Sequence, residues 1–509
     1  MNHAGGRALG TGRHATDTAS ATHGRAGVIP RLATLACTLL LAAGCSVGPN
    51  YRRPVTVTAA DYKEQNGWKP SEPADILKRE PWWQIFNDDV LTQLEVQVNV
   101  SNETVKSAEA AVEEARAMVR EAQASFFPSI SLSASRTKSG EGLGALGIGS
   151  TGAAGASGAF SGTSLTETLN SVGASATWNV DIWGQTRRTV EGQKASAQAS
   201  LAALAAAELT AQAELATDYF ELRAQDQLVI LLTDIVAADD KALKITEARY
   251  RDGVAYKADM LSAQTELLTA QTQQVNAAIL RGTLEHAIAV LIGKQPATFS
   301  LKAAPLANAI PTVPPGIPST LLERRPDIAE SERQVAAANA QIGVAISAFF
   351  PSLTLSASNE YEGPTIGKLI QASNRIWSLG PSLAQTLFDG GLRRAEVAYA
   401  RASYQASVSN YRQTVLSDFQ QVEDQLVTLR VLEKQAVLED QLVKAARESE
   451  VLTLNQYKAG TQPYSSVITA QTTRLDAEET ALTVQQDRFT SSVALIEALG
   501  GGWDASMLK

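Results

Sequence analysis

A twelve-residue stretch of this chain occurs twice. Ala124-Ser125-Phe126-Phe127-Pro128-Ser129-Ile130-Ser131-Leu132-Ser133-Ala134-Ser135 returns as Ser347-Ala348-Phe349-Phe350-Pro351-Ser352-Leu353-Thr354-Leu355-Ser356-Ala357-Ser358, 223 positions later. Arg249-Tyr250-Arg251-Asp252-Gly253-Val254 and Ala263-Gln264-Thr265 return as Gln456-Tyr457-Lys458-Ala459-Gly460-Thr461 and Ala470-Gln471-Thr472, 207 positions later. Parts that recur in one order mark a duplicated unit. That reading replaces the two to four separate domains that 509 residues would otherwise suggest. The first copy is longer by the difference between the offsets. Its excess falls in the Gly/Ala/Ser-rich run Gly140–Gly162, which reads as a long loop.

Each half reads helix, strand, strand, long helix, turn, helix. The first helix is expected from about Asp88 to Ser125, its counterpart from about Asp327 to Ala348. Both stop at Phe-Phe-Pro, because Pro pushes the residue before it out of the helical region. Strict alternation follows: Ile130, Leu132 and Ala134 between serines, then Val172, Ala174, Ala176, Trp178, Val180 and Ile182 between small polar residues. The second half repeats it with Leu353, Leu355 and Ala357, and with Trp377, Leu379, Leu383 and Leu387. Strands are expected at about 129–139, 171–183, 352–362 and 376–388. Period two with one apolar and one small polar face suits a barrel wall between lipid and water, or one antiparallel sheet packed on helices. After Gly184 and Gly391 a helical pattern runs for some 65 residues, roughly 100 Å at 1.5 Å per residue. Phe419, Val422, Leu426 and Leu429, then Leu438, Leu442, Ala445, Ser449 and Leu452, follow coiled-coil spacing. Gly253 and Gly460 supply the positive φ for the turn, and a second helix returns to about Leu291 and Leu499.

Composition excludes several classes. Apolar residues make up 44%, so wholesale disorder is out, and a net charge of −9 argues against a nucleic-acid binder. Two cysteines rule out a disulfide scaffold. The longest apolar run, Leu32–Ala43, is short of the roughly 20 residues a spanning helix needs. It follows Arg25 and Arg31 and ends in Ala42-Ala43-Gly44-Cys45, the layout of an export signal. Cys45 after Ala-Gly resembles a bacterial lipobox, with Ala42 where Leu is usual. The lipobox implies a diacylglycerol on the Cys45 sulfur and an acyl group on the new N-terminus. An ordinary secretory signal is the alternative. Ser46, in place of Asp, favours the outer membrane. Removing residues 1–44 also removes Arg7, Arg13, Arg25, Arg31 and Asp17, net +3, so the mature chain stands at −12.

Four strands cannot close a barrel alone, since a fillable interior takes about eight. The chain is therefore expected to oligomerise around a conduit. Here the residues meet a known family. Cys45-Ser46-Val47-Gly48-Pro49-Asn50-Tyr51-Arg52-Arg53-Pro54, Pro81-Trp82-Trp83-Gln84-Ile85-Phe86-Asn87-Asp88 with Leu91, and Glu323-Arg324-Arg325-Pro326-Asp327-Ile328 are its first matches. Leu387-Phe388-Asp389-Gly390-Gly391 and Ala498-Leu499-Gly500-Gly501-Gly502-Trp503 complete the set. In this order they resemble the outer-membrane factor lipoproteins of tripartite resistance-nodulation-division efflux systems, the outer membrane efflux protein family. The resemblance implies a mainly α fold with a membrane β-barrel. Each chain holds two tandem repeats of helix-strand-strand-long helix-helix, and the homotrimer forms a 12-stranded barrel and a 12-helix periplasmic tunnel. It implies a passive exit duct for drugs or other small molecules, opened at the helical tip by a periplasmic adaptor and served by an inner-membrane transporter. It assigns residues 1–44 to the signal, 45–87 to a lipidated and equatorial segment, 88–292 to the first repeat and 293–320 to an equatorial linker. The second repeat takes 321–500 and the tail 501–509. Pro311, Pro314, Pro315 and Pro318 are expected to break helices in that linker. A type I protein secretion duct and a pore-free coiled-coil lipoprotein are the alternatives.

Enzyme chemistry finds no footing. Three of four His lie in the first 23 residues, and His286 alone reads as a helix-packing or lumen residue. Gly142-Leu143-Gly144-Ala145-Leu146-Gly147 spells a dinucleotide fingerprint without the βαβ unit that would give it meaning. No cofactor is expected beyond the lipid on Cys45. The informative site is the hairpin tip, where the family's tunnel closes and adaptors bind. Candidates for gate and adaptor contact are Asp252, Gly253 and Asp259 in one half and Tyr457, Gly460, Gln462 and Thr469 in the other. Tyr457, Gln462, Thr469 and Asp259 are expected to hold the closed state through contacts between neighbouring hairpins. The family often carries Asp where this chain has Thr469, and the segments 249–259 and 456–469 each sum to +1, so no acidic aperture is expected.

Overall fold

The computed structural model describes residues 46–56, 59, 61–65, 81–141, 165–307, 309–311, 313 and 318–508. The leader, Cys45, the Gly142–Gly147 run, Pro314 and Pro315 lie outside them. The elements follow the duplication. Helices α1 (Asp89–Ser101) and α2 (Glu103–Ala124) lead into strands β1 (Ser129–Glu141) and β2 (Leu165–Val180), then α3 (Gln185–Arg251) and α4 (Lys257–Leu291). The second half gives α5 (Pro318–Arg324), α6 (Pro326–Ser347), β3 (Ser352–Gly363), β4 (Arg375–Ala384), α7 (Leu392–Lys458) and α8 (Tyr464–Ala498). Helices α3 and α7 have 67 residues each, α4 and α8 35 each. The fold is mostly helical with one small antiparallel sheet, ordered β1-β2-β3-β4.

The expected helix 88–125 is two helices. Asn102 has an extended backbone (φ −66°, ψ 125°), and its side-chain oxygen accepts the N–H groups of Thr104 and Val105 at 2.8 and 3.1 Å. Its amide donates to the Leu291 carbonyl at 2.9 Å, which ties the break to the end of α4. Asn is a favoured helix cap, and Asn102-Glu103 is a start signal inside an otherwise periodic run. The second half breaks 223 positions on, at Arg325 between α5 and α6. Pro318 opens α5 instead of ending a helix, because a first-turn Pro has no N–H to lose.

The strands also differ from expectation at their ends. Strand β2 begins at Leu165 and stops at Val180, and β4 stops at Ala384, so Ile182 and Leu387 lie past the sheet. Carboxylates end the strands. Asp181 accepts the Arg187 backbone N–H at 3.0 Å and its Nε at 3.2 Å, turning the chain into α3. Asp389 does the same before α7, accepting Arg393 Nε at 2.6 Å.

The core sits midway along the long helices. Phe220 of α3 stacks on Phe489 of α8 at 4.7 Å and meets Phe86 at 4.8 Å. Trp82 donates from its indole to Gln212 at 3.0 Å. Asp88 caps α1 through the N–H groups of Val90 and Leu91 and accepts the Tyr219 hydroxyl at 2.6 Å. Burying each large ring is worth about 2–3 kcal/mol, so the Trp-Trp run anchors the N-terminal segment to the helices. Below it Asp226 takes Arg281 at 2.7 Å and the Ala304 N–H at 3.0 Å, while Arg281 donates to the Leu301 carbonyl at 2.7 Å. These bonds clamp the linker onto α3 and α4.

The two seams of α7 part company. Val422, Leu426 and Leu429 are buried within the chain and Phe419 is half-buried. Leu438, Leu442, Ala445, Ser449 and Leu452 are exposed, and Ala446, Glu450 and Tyr457 face inward instead. The expected seam therefore does not pack inside one chain. Helix α4 carries a matching exposed stripe, Leu261, Leu268 and Val275, one heptad apart.

Candidate functional site

The alternation of the strands resolves into two chemically distinct faces. In the antiparallel register Ile130 lies opposite Ala176, Leu132 opposite Ala174, Ala176 opposite Ala357, Trp178 opposite Leu355, and Leu353 opposite Leu383. These residues share one face. Ile130, Leu132, Leu379 and Leu383 are 68–81% exposed, so no other described residue covers them. The other face carries hydroxyls. Ser131 and Ser175 hydrogen-bond at 2.8 Å, Ser135 and Ser171 at 2.9 Å, Ser358 and Ser378 at 2.8 Å. Among the described residues strands β1 and β4 each pair on one side only, leaving two edges whose N–H and C=O groups lack ladder partners there.

Aromatic rings gather where strands meet helices. Trp183 stacks on Phe350 at 4.7 Å and donates to the Pro351 carbonyl at 2.8 Å. Trp178 donates to the Phe126 carbonyl at 2.9 Å. Phe127, Phe349 and Phe350 are exposed there. Rings at this level suit the boundary between hydrocarbon and water.

The segment after Cys45 is strapped to this junction. Val47 donates its N–H to the Trp183 carbonyl at 3.1 Å. Arg188 of α3 reaches the Val47 and Gly48 carbonyls at 3.1 and 3.2 Å and the Asn50 side chain at 2.9 Å. Asn339 of α6 holds the Pro49 carbonyl at 3.0 Å, and Tyr51 bonds Glu332. A Cβ on Gly48 would lie 2.5 Å from the Gly343 Cα, so backbone crosses backbone there with no room for a side chain. The strap begins beside Gly184, between β2 and α3. Cys45 lies outside the described residues, but Ser46 next to it sits at the strand–helix level.

At the far end, α3–α4 and α7–α8 turn as expected at Asp252-Gly253 and Ala459-Gly460, with Gly253 at φ +74° and Gly460 at φ +78°. Asp252 caps the end of α3 through its backbone N–H. Of the candidates, Tyr457 is the one in contact with the other hairpin. It is buried between Tyr464, whose ring lies 5.1 Å away edge-on, and the Arg249 guanidinium, 4.7 Å above its ring. Arg249 also donates to the Tyr457 and Lys458 carbonyls at 3.2 and 3.0 Å. The Tyr457 hydroxyl has no hydrogen-bond partner among the described residues. Its ring makes the contact. Arg249 is not among the sequence candidates, because a basic residue at a turn carries no sequence mark of its partner on another hairpin.

The remaining candidates serve their own hairpins. Asp259 accepts the Tyr256 N–H at 3.3 Å and caps α4. Gln462 accepts from Ser466 at 3.3 Å, and Thr469 donates to the Ser465 carbonyl at 3.1 Å. Gln462 and Thr469 share an open groove of about 330 Å³ between α7 and α8 with Ala446, Ser449, Thr453 and Gln456. One helical turn inward, Gln471 donates to Asp239 at 3.0 Å across the hairpins, and burial pushes the Asp239 carboxyl up to about 6. Arg474 pairs with Glu450 at 2.8 Å, and Arg447 with Glu478 at 2.5 Å. His286 is exposed on α4, so it does not pack inside its own helix pair. Among the described residues no three His, Cys, Asp or Glu side chains gather as metal ligands, and no helix is long and apolar enough to cross a membrane.

A two-faced strand wall feeding paired helical hairpins is the build of an outer-membrane efflux channel. The model of the outer membrane efflux protein family matches residues 95–294 and 317–501, and the chain belongs to that family. It is 28% identical over 474 residues to the probable efflux pump outer membrane protein TtgC of Pseudomonas putida, covering 93% of this chain and 96% of that one. It is 30% identical over 447 residues to the pyoverdine export outer membrane protein OpmQ of Pseudomonas aeruginosa, covering 86% and 89%. Among solved structures the outer-membrane channel OprN aligns with a TM-score of 0.80 at 26% identity, over 90% of this chain and 100% of that one. The family is one of outer membrane efflux proteins, and OprN, of the same fold, is an outer-membrane channel.

Proposed function

We propose that three copies of this chain assemble into a passive exit duct for drugs or other small molecules, from periplasm to exterior. Each copy contributes four strands to a 12-stranded barrel and four long helices to a 12-helix tunnel. The observation that carries this reading is the sheet: two unpaired edges, one exposed apolar face and one hydroxyl face. Unpaired edges are removed by joining β4 of one copy to β1 of the next. The apolar face then meets lipid and the serine face lines water. The exposed stripes on α4 and α7 supply surfaces for helix contacts between copies.

Cys45 carries the lipid, and the strap holds Ser46 where membrane gives way to periplasm. The tip is the closed end. The Arg249–Tyr457 contact latches one hairpin to the other, and a periplasmic adaptor opens it by engaging the tip. Transport is driven by an inner-membrane transporter. The test is conductance of the purified protein in planar bilayers together with heat-modifiable migration in gels. Open-channel steps from a trimer are expected. A protein that forms trimers yet never conducts, even after the Arg249→Ala change, would sink the duct and leave a structural lipoprotein.

A further inference from the structure

Charges on the sheet are sorted by face, and the cations also by strand. Among the described strand residues, Arg136 and Lys138 of β1 lie opposite Asn170 and Thr168, and Arg375 of β4 lies opposite Tyr361. All three share the face of Leu132, Val172 and Leu379. The carboxylates Glu167, Glu360 and Glu362 lie opposite Ser139, Gly173 and Ser171, on the hydroxyl face. A Cβ on Gly173 would come within 2.7 Å of the Glu360 Cβ, which places Glu360 on that side directly. The cations sit on the two edge strands; the carboxylates lie on the two inner strands and, at Glu141 opposite Leu165, at the end of β1.

Position along the strand adds a third regularity. Read across to β2, Lys138, Arg136 and Arg375 fall level with residues 168, 170 and 172, a span of roughly 14 Å at 3.4 Å per residue. Arg136 and Lys138 lie beyond the apolar run that starts at the aromatic junction, and Arg375 lies level with its last members, Ala134 and Val172, toward the end of the sheet away from the helices. Arg136, Lys138 and Arg375 are exposed, and Arg375 donates to Asn359 at 2.6 Å on its own face. No described strand carboxylate shares that face to neutralise them. Lysine on an edge strand deters stray pairing, but that role asks neither for arginine on the opposite edge nor for acids kept on the other face.

We infer that the junction between two copies is a binding site for the phosphates of an outer-leaflet glycolipid. The inference rests on the closed barrel proposed above. Joining β4 to the β1 of another copy puts Arg375 on the strand next to the one that carries Arg136 and Lys138, the two strands lying about 4.8 Å apart. Three cations then stand at the outer rim of a lipid-facing apolar band. Acyl chains lie on Leu132, Leu379 and Trp377, and phosphate oxygens accept from the guanidinium and ammonium groups, as charge-assisted bonds favour. Neither edge alone assembles the three.

The test uses the purified full-length trimer and bisphosphorylated lipid A in mixed micelles, with dephosphorylated lipid A and inorganic phosphate as further probes. The Arg136→Gln, Lys138→Gln, Arg375→Gln triple variant is compared with a Glu167→Gln, Glu360→Gln, Glu362→Gln variant that alters the other face. The expected result is at least tenfold weaker binding of bisphosphorylated lipid A by the first variant, unchanged binding by the second, and heat-modifiable trimers in both. Equal binding by an intact trimer with and without the cations overturns the site alone. Displacement by equimolar inorganic phosphate overturns its lipid character. A wild-type chain that never trimerises overturns the site together with the reading beneath it.

Discussion

Single residues set the behaviour of the tip. Tyr457 contributes its ring, so Tyr457→Phe is expected to leave conductance unchanged, whereas Arg249→Ala removes two hydrogen bonds and a cation–π contact, about 2 kcal/mol together. Single-channel recording should show longer or larger openings for Arg249→Ala, with increased uptake of bulky antibiotics. A silent Arg249→Ala beside an open Tyr457→Phe would reverse the assignment. Glu95 of α1 offers a second test. It is fully buried, its oxygens have no hydrogen-bond partner among the described residues, and burial pushes its carboxyl up to about 9. The unfolded chain loses this proton near pH 4.3. Between that pH and about 9 the folded state holds a proton that the unfolded state has released, so stability falls as pH rises. Glu95→Gln is expected to remove this slope and to raise stability at pH 8 on the order of 3 kcal/mol, with little gain at pH 5. Thermal midpoints of wild type and variant at the two pH values check it.

At the scale of elements, what separates the helices is where their apolar stripes point. Periodicity announced two seams on α7, and heptad spacing alone could not say that one packs within the chain and the other does not. The reason is physical: 3.5-residue spacing guarantees a stripe, while the partner is chosen by the helices around it. Leu438→Glu with Leu442→Glu is expected to weaken trimers while leaving helix content intact, because both side chains are exposed in one chain. Gel migration with and without heating, beside circular dichroism, measures the two separately. The break at Asn102 was legible in principle. Asn102→Ala should cost about 1 kcal/mol through loss of the cap and of the bond to Leu291.

For the whole molecule the strap matters most. Replacing Cys45 by Ser behind a conventional signal is expected to abolish incorporation of labelled palmitate. Trimers should persist, since Arg188, Asn339 and the Trp82 cluster hold the segment without the lipid. Loss of trimers in that variant would instead make the anchor part of assembly.

The sequence by itself determined the duplication, the order of elements, the turn glycines, the two-faced strands and the family. These depend on local rules: period two, period 3.6, and residues that alone tolerate a given φ. Tertiary structure decided the rest. It paired Arg249 with Tyr457 across about 208 positions, gave Asp259 and Asp252 to capping, broke the first helix at Asn102 and crossed Gly48 over Gly343. Each is a contact between segments far apart in the chain, and no local pattern encodes which distant backbone will arrive beside it.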